Sequence, residues 1–326
     1  MYNQTEAILS QYDMEINEVV KGRGSYICNT NRGMKLLVPF CGSKEKGEFL
    51  NSYLKLLKEH GFWVEQILLN KNMEAVTEDE GTGERFIVKD YVAGTELNTA
   101  RYSEMEAAVC LLAEYHAISE KMEIEIPDRI KESAKLVVDT RYRHYRELVK
   151  VKNYIRSRKK KNEFEQIYMK NFEPMLATAE RSMELLKEQA LQTPKCDVCH
   201  GDYNQHNVVF SEERWKMIHF ENIMYCWSVV DLANFLRKML EKNNWDIELG
   251  MHLIEIYHKH CPMEAVQLRQ LYGILLFPEK FWKITNHYIN SRKAWISGRD
   301  IEKLKKVIEQ ETRRLNFMEN LFSILG

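Results

Sequence analysis

Residues 196–210 read CDVCHGDYNQHNVVF, and two incompatible chemistries can be laid over them. Cys196, Cys199 and His200 have the C-x-x-C-H spacing of covalent haem attachment. Read from His200 instead, the same letters give a carboxylate at Asp202 and an amide five positions later at Asn207. That is the pairing of proton acceptor and metal ligand on which phosphoryl transfer depends. The fold follows from which reading is right.

The rest of the chain argues against haem. Its first twenty residues, MYNQTEAILSQYDMEINEVV, mix acids and polar groups through every window, without the charged start and apolar run of an export signal. Synthesis in the cytoplasm is the expectation, whereas covalent haem belongs to exported proteins. Seven cysteines, an odd number, point to reduced thiols rather than a disulfide framework. Zinc is disfavoured too, because Cys226 and Cys261 stand alone and no second C-x-x-C is present. The bland reading is that Cys196 and Cys199 are small apolar groups packing a strand before a loop.

Composition narrows the function classes. The net charge is −1 and 44% of residues are hydrophobic, which gives nucleic acid no electrostatic footprint, and the basic run at 156–161 reads as a solvated helix end. No stretch of about 18 apolar residues is available to cross a bilayer, so no membrane is expected. At 326 residues the chain is long enough for two lobes. Only six prolines interrupt it, so long helices are expected.

Working outward from the motif, periodicity divides the chain near residue 92. Short strand patterns at 16–20, 26–30 and 35–40 are separated by glycine turns at 21–24 and 31–33. Ser43 caps a helix to about residue 60, and segments 62–70 and 85–92 complete a sheet. Residues 1–92 therefore predict a small lobe of five strands and one helix. Residues 93–326 predict a mainly helical lobe, with a capping box at Ser103 and Glu106, charged helices at about 128–158 and 162–190, and helix from 231 to the end. The strands of this lobe flank the motif, at 208–210 and 215–218, with a turn at 211–214. The fold class is α+β.

In this order the elements resemble the two-lobe protein-kinase-like fold, in the branch of aminoglycoside and choline phosphotransferases. Within it, the stretches CHGDYNQHN, DLANFLRK and PEKFWKI are similar to those of the CotS family of spore coat proteins. The resemblance spans nearly the whole chain. It implies Asp202 as the base for an alcohol acceptor, Asn207 as a metal ligand and His200 as a loop-holding residue. It also implies Asp231 as the aspartate that braces the loop from below. On the nucleotide side it implies Glu48 as the ion-pair partner of a strand lysine, and the glycine turn of Lys21, Gly22 and Gly24 is a further candidate for contact with a nucleotide.

Two positions depart from that pattern. Family enzymes carry Ile-Asp-Phe or Ile-Asp-Trp on the second hairpin strand, with the aspartate on Mg²⁺; here the residues are Ile218, His219 and Phe220. Imidazole is a poor ligand for a hard cation that prefers oxygen, and the next carboxylate, Glu221, reaches the same space only if the backbone turns differently. The strand lysine is replaced by Val38. Lys35 alternates to the opposite face, which leaves Lys21 and Arg23 as substitutes from another direction. One lost charge-stabilising group costs roughly 10²- to 10³-fold in rate, and two about 10⁴ or more if they act independently.

The first reading is thus a spore coat protein of the CotS type that is a pseudokinase. It would need no cofactor and would bind other coat proteins or a small ligand in the cleft. The second is an active phosphotransferase using ATP and Mg²⁺, with Asn207 and Glu221 on the metal and His219 and Glu221 beside the nucleotide. A third, a metal-free nucleotide-binding scaffold, stays open.

Overall fold

Alternation on two neighbouring strands determines what faces the interior. The computed structural model describes residues 2–131, 136–191, 196–291 and 298–324. Strand β3 (Gly33–Pro39) pairs antiparallel with β6 (Arg85–Asp90), so that Leu37 lies opposite Val88 while Leu36 lies opposite Lys89 and Val38 opposite Ile87. Opposed residues share a face. Leu37 and Val88 pack with Cys28 and Phe86 under Ile8, Leu9 and Tyr12. Lys89 therefore lies on the other face, with Val38.

The sheet is antiparallel, in the order β1-β2-β3-β6-β4, with β5 also on β6. Its other members are β1 (Ile16–Lys21), β2 (Tyr26–Thr30), β4 (Ile67–Leu68) and β5 (Thr77–Glu78). The predicted strand at 62–70 shrinks to the two residues of β4. Helix α1 (Tyr2–Leu9), which the polar character of its sequence concealed, covers the Leu37 face. Helix α2 (Lys44–Glu59) begins as predicted, with the Ser43 hydroxyl accepting from Lys46 N at 3.1 Å.

The second lobe begins with β7 (Thr95–Glu96), which pairs with β9 (Val208–Ser211). Helix α3 (Tyr102–Ser119) lacks the expected capping box. Ser103 already lies inside the helix, and Glu104 instead accepts from Asn98 N at 2.8 Å. The region predicted as helix at 128–158 is α4 (Asp128–Lys131) and α5 (Leu136–Ser157), with 132–135 outside the described residues. Helix α6 (Glu163–Ala190) follows, capped reciprocally by Asn162 and Glu165. The expected helical tail comprises α7 (Val229–Lys242), α8 (Ile247–His260), α9 (Ala265–Leu276), α10 (Glu279–Asn290) and α11 (Gly298–Ser323); 292–297 and the last two residues lie outside the description.

The motif is held by two small sheets. β9 and β10 (Arg214–Met217) form the predicted hairpin, turning through Glu212 and Glu213, both with positive φ as a two-residue hairpin turn requires. β8 (Asp197–Cys199) pairs with β11 (Met224–Cys226), a strand the sequence reading missed. Among the described residues no helix is long and apolar enough to cross a membrane.

Candidate functional site

The loop between β8 and β9 is assembled on a buried carboxylate. Asp231, in the first turn of α7 and fully buried, accepts from the backbone N–H of His200 at 2.6 Å and of Gly201 at 3.0 Å. Gly201 sits at φ +82°, and a Cβ there would lie 2.0 Å from the Asn222 carbonyl oxygen, so both conformation and space demand glycine. The His200 ring is buried, its Nε2 donating to Ile218 O at 2.9 Å and its Nδ1 accepting from Asp202 N at 3.2 Å. Burial, only partly opposed by Asp231, lowers its pKa. With both ring nitrogens engaged, His200 is not available as a haem ligand. Nor do Cys196 and Cys199 form an isolated pair, because the Cys199 sulfur lies 3.3 Å from that of Cys226.

Asp202 and Asn207 meet at the loop mouth. The Asn207 amide donates to Asp202 O at 2.9 Å and to its Oδ2 at 3.3 Å, while Ile218 N donates to Asn207 O at 3.0 Å. The Asp202 carboxylate is half-exposed, and the Lys238 ammonium of α7 stands 3.5 Å from its Oδ1.

Beyond β10 the chain turns through a 3-10 segment, Phe220–Asn222, entered by His219 at φ 69° and ψ 56°. A side chain seldom holds this left-handed conformation without support. Glu65 supplies it: its Oε1 accepts from His219 N at 2.7 Å, from Phe220 N at 3.3 Å and from Lys89 Nζ at 2.6 Å. Lys89 also contacts Glu221 and lies 3.2 Å from His219 Nδ1, which accepts from the ammonium. The side chains of Lys89 and Glu65 are 2% and 3% exposed and that of Glu221 11%, so this cluster of one ammonium and two carboxylates is shielded from solvent. Burial alone would raise the Glu221 pKa, but the Lys89 ammonium outweighs it and holds the carboxyl well below its usual range. Burial alone would lower the Lys89 pKa, and Glu221 and Glu65 more than offset it.

A cavity of about 650 Å³ separates the first sheet from this strip; Gly22, Gly24, Val38, Asp202, Asn207, His219 and Glu221 line it. Two candidate residues lie elsewhere. Lys21, opposite Tyr26 on β1, borders the groove beside α1 instead. Glu48 is exposed on α2, its carboxylate accepting from Ala75 N at 2.7 Å. Lys35 is taken by Asp90 at 2.8 Å. At the cavity mouth Arg23 lies 3.5 Å from His206 Nδ1, and that nitrogen contacts Glu96.

Sequence reading missed three groups here. Lys89 left a signal, since it follows Phe86, Ile87 and Val88 in phase with the buried Ile87. Glu65 left only its place beside Val64 in a half-apolar segment. Lys46, one turn into α2, also lines the cavity, and burial lowers its pKa. As a magnesium site the residues fit poorly. His219 offers nitrogen and the Glu221 carboxylate is bound to an ammonium, which leaves Asn207 Oδ1 and Asp202 as the oxygen donors, whereas Mg²⁺ requires a near-ideal octahedron of oxygens.

Comparison with known proteins agrees with this architecture. The family model described as "Spore coat putative kinase YutH" matches residues 5–321, and the chain belongs to that family. A search of curated proteins finds no match. Among solved structures, an aminoglycoside phosphotransferase from Alicyclobacillus acidocaldarius superposes with a TM-score of 0.80 at 17% identity, covering 98% of this chain and 96% of its own. Amicoumacin kinase hAmiN, solved with AMP-PNP, Ca²⁺ and Ami, gives 0.62 at 12% identity over 96% and 92% of the two chains. A microcompartment-associated aminopropanol kinase gives 0.62 at 12% over 100% and 99%. The fold is that of the protein-kinase-like phosphotransferases.

Proposed function

From its membership of the spore coat family, we propose that this protein is a pseudokinase that acts by binding, either to other coat components or to a small ligand in the cleft. One observation carries this reading: the first carboxylate after the position of the missing aspartate, Glu221, is turned inward onto Lys89. A single buried contact thus consumes both a potential metal ligand and a potential phosphate cation. Detaching Glu221 to hold a metal would leave the buried ammonium with one partner fewer, and breaking a buried pair typically costs about 3–5 kcal/mol. Family membership supports association with the coat.

Thermal unfolding with and without Mg²⁺-ATP tests the reading. A ligand at a hundred times its dissociation constant adds about 2.7 kcal/mol of apparent stability, a shift of several degrees. We expect no Mg²⁺-dependent shift in the native sequence, and His219→Asp to introduce one. A clear shift in the native protein that requires Mg²⁺ and disappears in Asn207→Ala would refute it.

The second reading is an active ATP- and Mg²⁺-dependent phosphotransferase for an alcohol acceptor. It is favoured by the open cavity and by the intact contact between Asp202 and Asn207. In that case Asp202 accepts the hydroxyl proton, and Asp202→Ala abolishes a turnover that the native protein displays.

A further inference from the structure

The helical lobe beside Asp202 is dense in cations. Helix α7 contributes Arg237, Lys238 and Lys242, α10 contributes Lys280 and Lys283, and α5 contributes Arg141. Three carboxylates are interleaved with these six groups, and each is already engaged. Glu241 lies 2.6 Å from Arg237 and 3.3 Å from Lys280. Glu279 lies 2.8 Å from Arg141 and 3.7 Å from Lys283, with His144 at 3.4 Å. Asp202 has Lys238 at 3.5 Å. Glu96, at the edge, is held by His206.

A second observation is independent of the charge balance. Arg141 and Arg237 are 8% and 6% exposed, and the Nε–H of each is buried without an acceptor. Unmatched buried donors are rare and costly. Neighbouring cations add to the effect of burial on two of the lysines. Burial, then Lys280, pushes Lys242 down; burial, then Arg237, pushes Lys283 down. The side chains of Lys238, Lys280 and Lys283 keep 28%, 46% and 47% of their surface exposed.

We propose that the face formed by α7 and α10 beside Asp202 is an anion-binding site, which takes a ligand carrying a multiply charged phosphate or polycarboxylate group. The proposal rests on reading the cleft as a binding site and names the chemical class of what it binds. An anion there meets the surplus ammonium groups, and charge-assisted hydrogen bonds to lysine are the stronger kind. An amine meets repulsion on the same face. Since Lys238 touches Asp202, the anion is held where an acceptor substrate would present itself to the loop.

The test uses the full chain in buffer free of nucleotide and divalent metal, at low ionic strength, where surface charge is least screened. Inorganic phosphate, pyrophosphate and citrate are titrated by calorimetry and thermal shift, with spermidine as the amine arm. We expect saturable binding of pyrophosphate or citrate and none of spermidine. Lys238→Gln and Lys283→Gln should each weaken it about tenfold, the equivalent of about 1.4 kcal/mol. Both lysines reach solvent, so either variant serves if the other fails to fold. Binding by pyrophosphate alone identifies a phosphoryl ligand, and binding by citrate as well extends the class to carboxylates. The proposal is overturned if no anion binds below about 10 mM, if spermidine binds instead, or if binding is lost in Arg23→Gln or Lys46→Gln while the α7 and α10 variants retain it. Because Mg²⁺-ATP is absent throughout, failure here leaves the pseudokinase reading standing. Conversely, Mg²⁺-dependent nucleotide binding would sink that reading without touching this one.

Discussion

The two arms of the candidate site have diverged in different ways. In the loop arm, His200, Gly201, Asp202 and Asn207 keep a closed set of hydrogen bonds anchored on Asp231. In the hairpin arm, the position expected to hold an aspartate is His219, and the nearby carboxylate is folded back onto Lys89. The loop arm is anchored in the core through His200 and Asp231, so its bracing serves the fold whether or not chemistry follows. The hairpin arm faces the cavity. There a metal ligand can be exchanged for an internal ion pair while the Phe220 anchor stays buried.

The largest expected effect tests the structural half of this contrast. Asp231→Ala leaves one buried and one part-buried N–H group of the loop without an acceptor, and hydrogen bonds to charged groups are worth about 1.5–3 kcal/mol each. A loss of about 3–6 kcal/mol in urea unfolding is expected. A loss under about 1 kcal/mol would mean that the loop is not braced by this residue.

Next comes the hairpin arm. Lys89→Met strands Glu65 and Glu221 together in a buried site, with an expected cost of about 3–5 kcal/mol at neutral pH. In the native protein the Glu221 carboxyl is depressed, so its contribution is present above the unfolded value of about 4.3 and declines as pH falls through the folded one. Lys89 is raised, so the same interaction is complete below about 10.4 and is lost only as pH rises through its folded value. In Lys89→Met the Glu221 carboxyl loses its counterion and protonates more readily. The gap between variant and native protein should therefore narrow from pH 7 toward pH 4. A gap that stays constant over that range would show that the pair is not what stabilises the turn.

The smallest effect sharpens the boundary between the arms. Arg23 is exposed at the cavity mouth, beside His206 but without a shared hydrogen, since His206 Nδ1 donates to Glu96. Arg23→Ala should change stability by less than about 0.5 kcal/mol. A larger loss in thermal unfolding would mean that the glycine turn is clamped to the loop rather than merely near it.

Much of this arrangement was legible in the chain itself, wherever the causes are local. The glycine turns, the Ser43 cap, the hairpin at 208–217 and the interval from Asp202 to Asn207 are short-range patterns. The departure at His219 needed only comparison with the family motif. Local reading missed strand β11, too short to alternate, overestimated the length of β4, and missed helix α1, which buries an apolar edge within a polar sequence.

What tertiary structure decided is the pairing of charges. Lys89 is 24 residues from Glu65 and 130 from His219, and Glu65 is 154 from His219. No periodicity links positions so far apart. Sequence specifies backbone conformation through neighbours along the chain, and so it determined the loop and the lobes. Which ammonium a buried carboxylate meets depends on the low-dielectric space that packing creates, so the role of Glu221 emerged only when the sheet was laid over the hairpin.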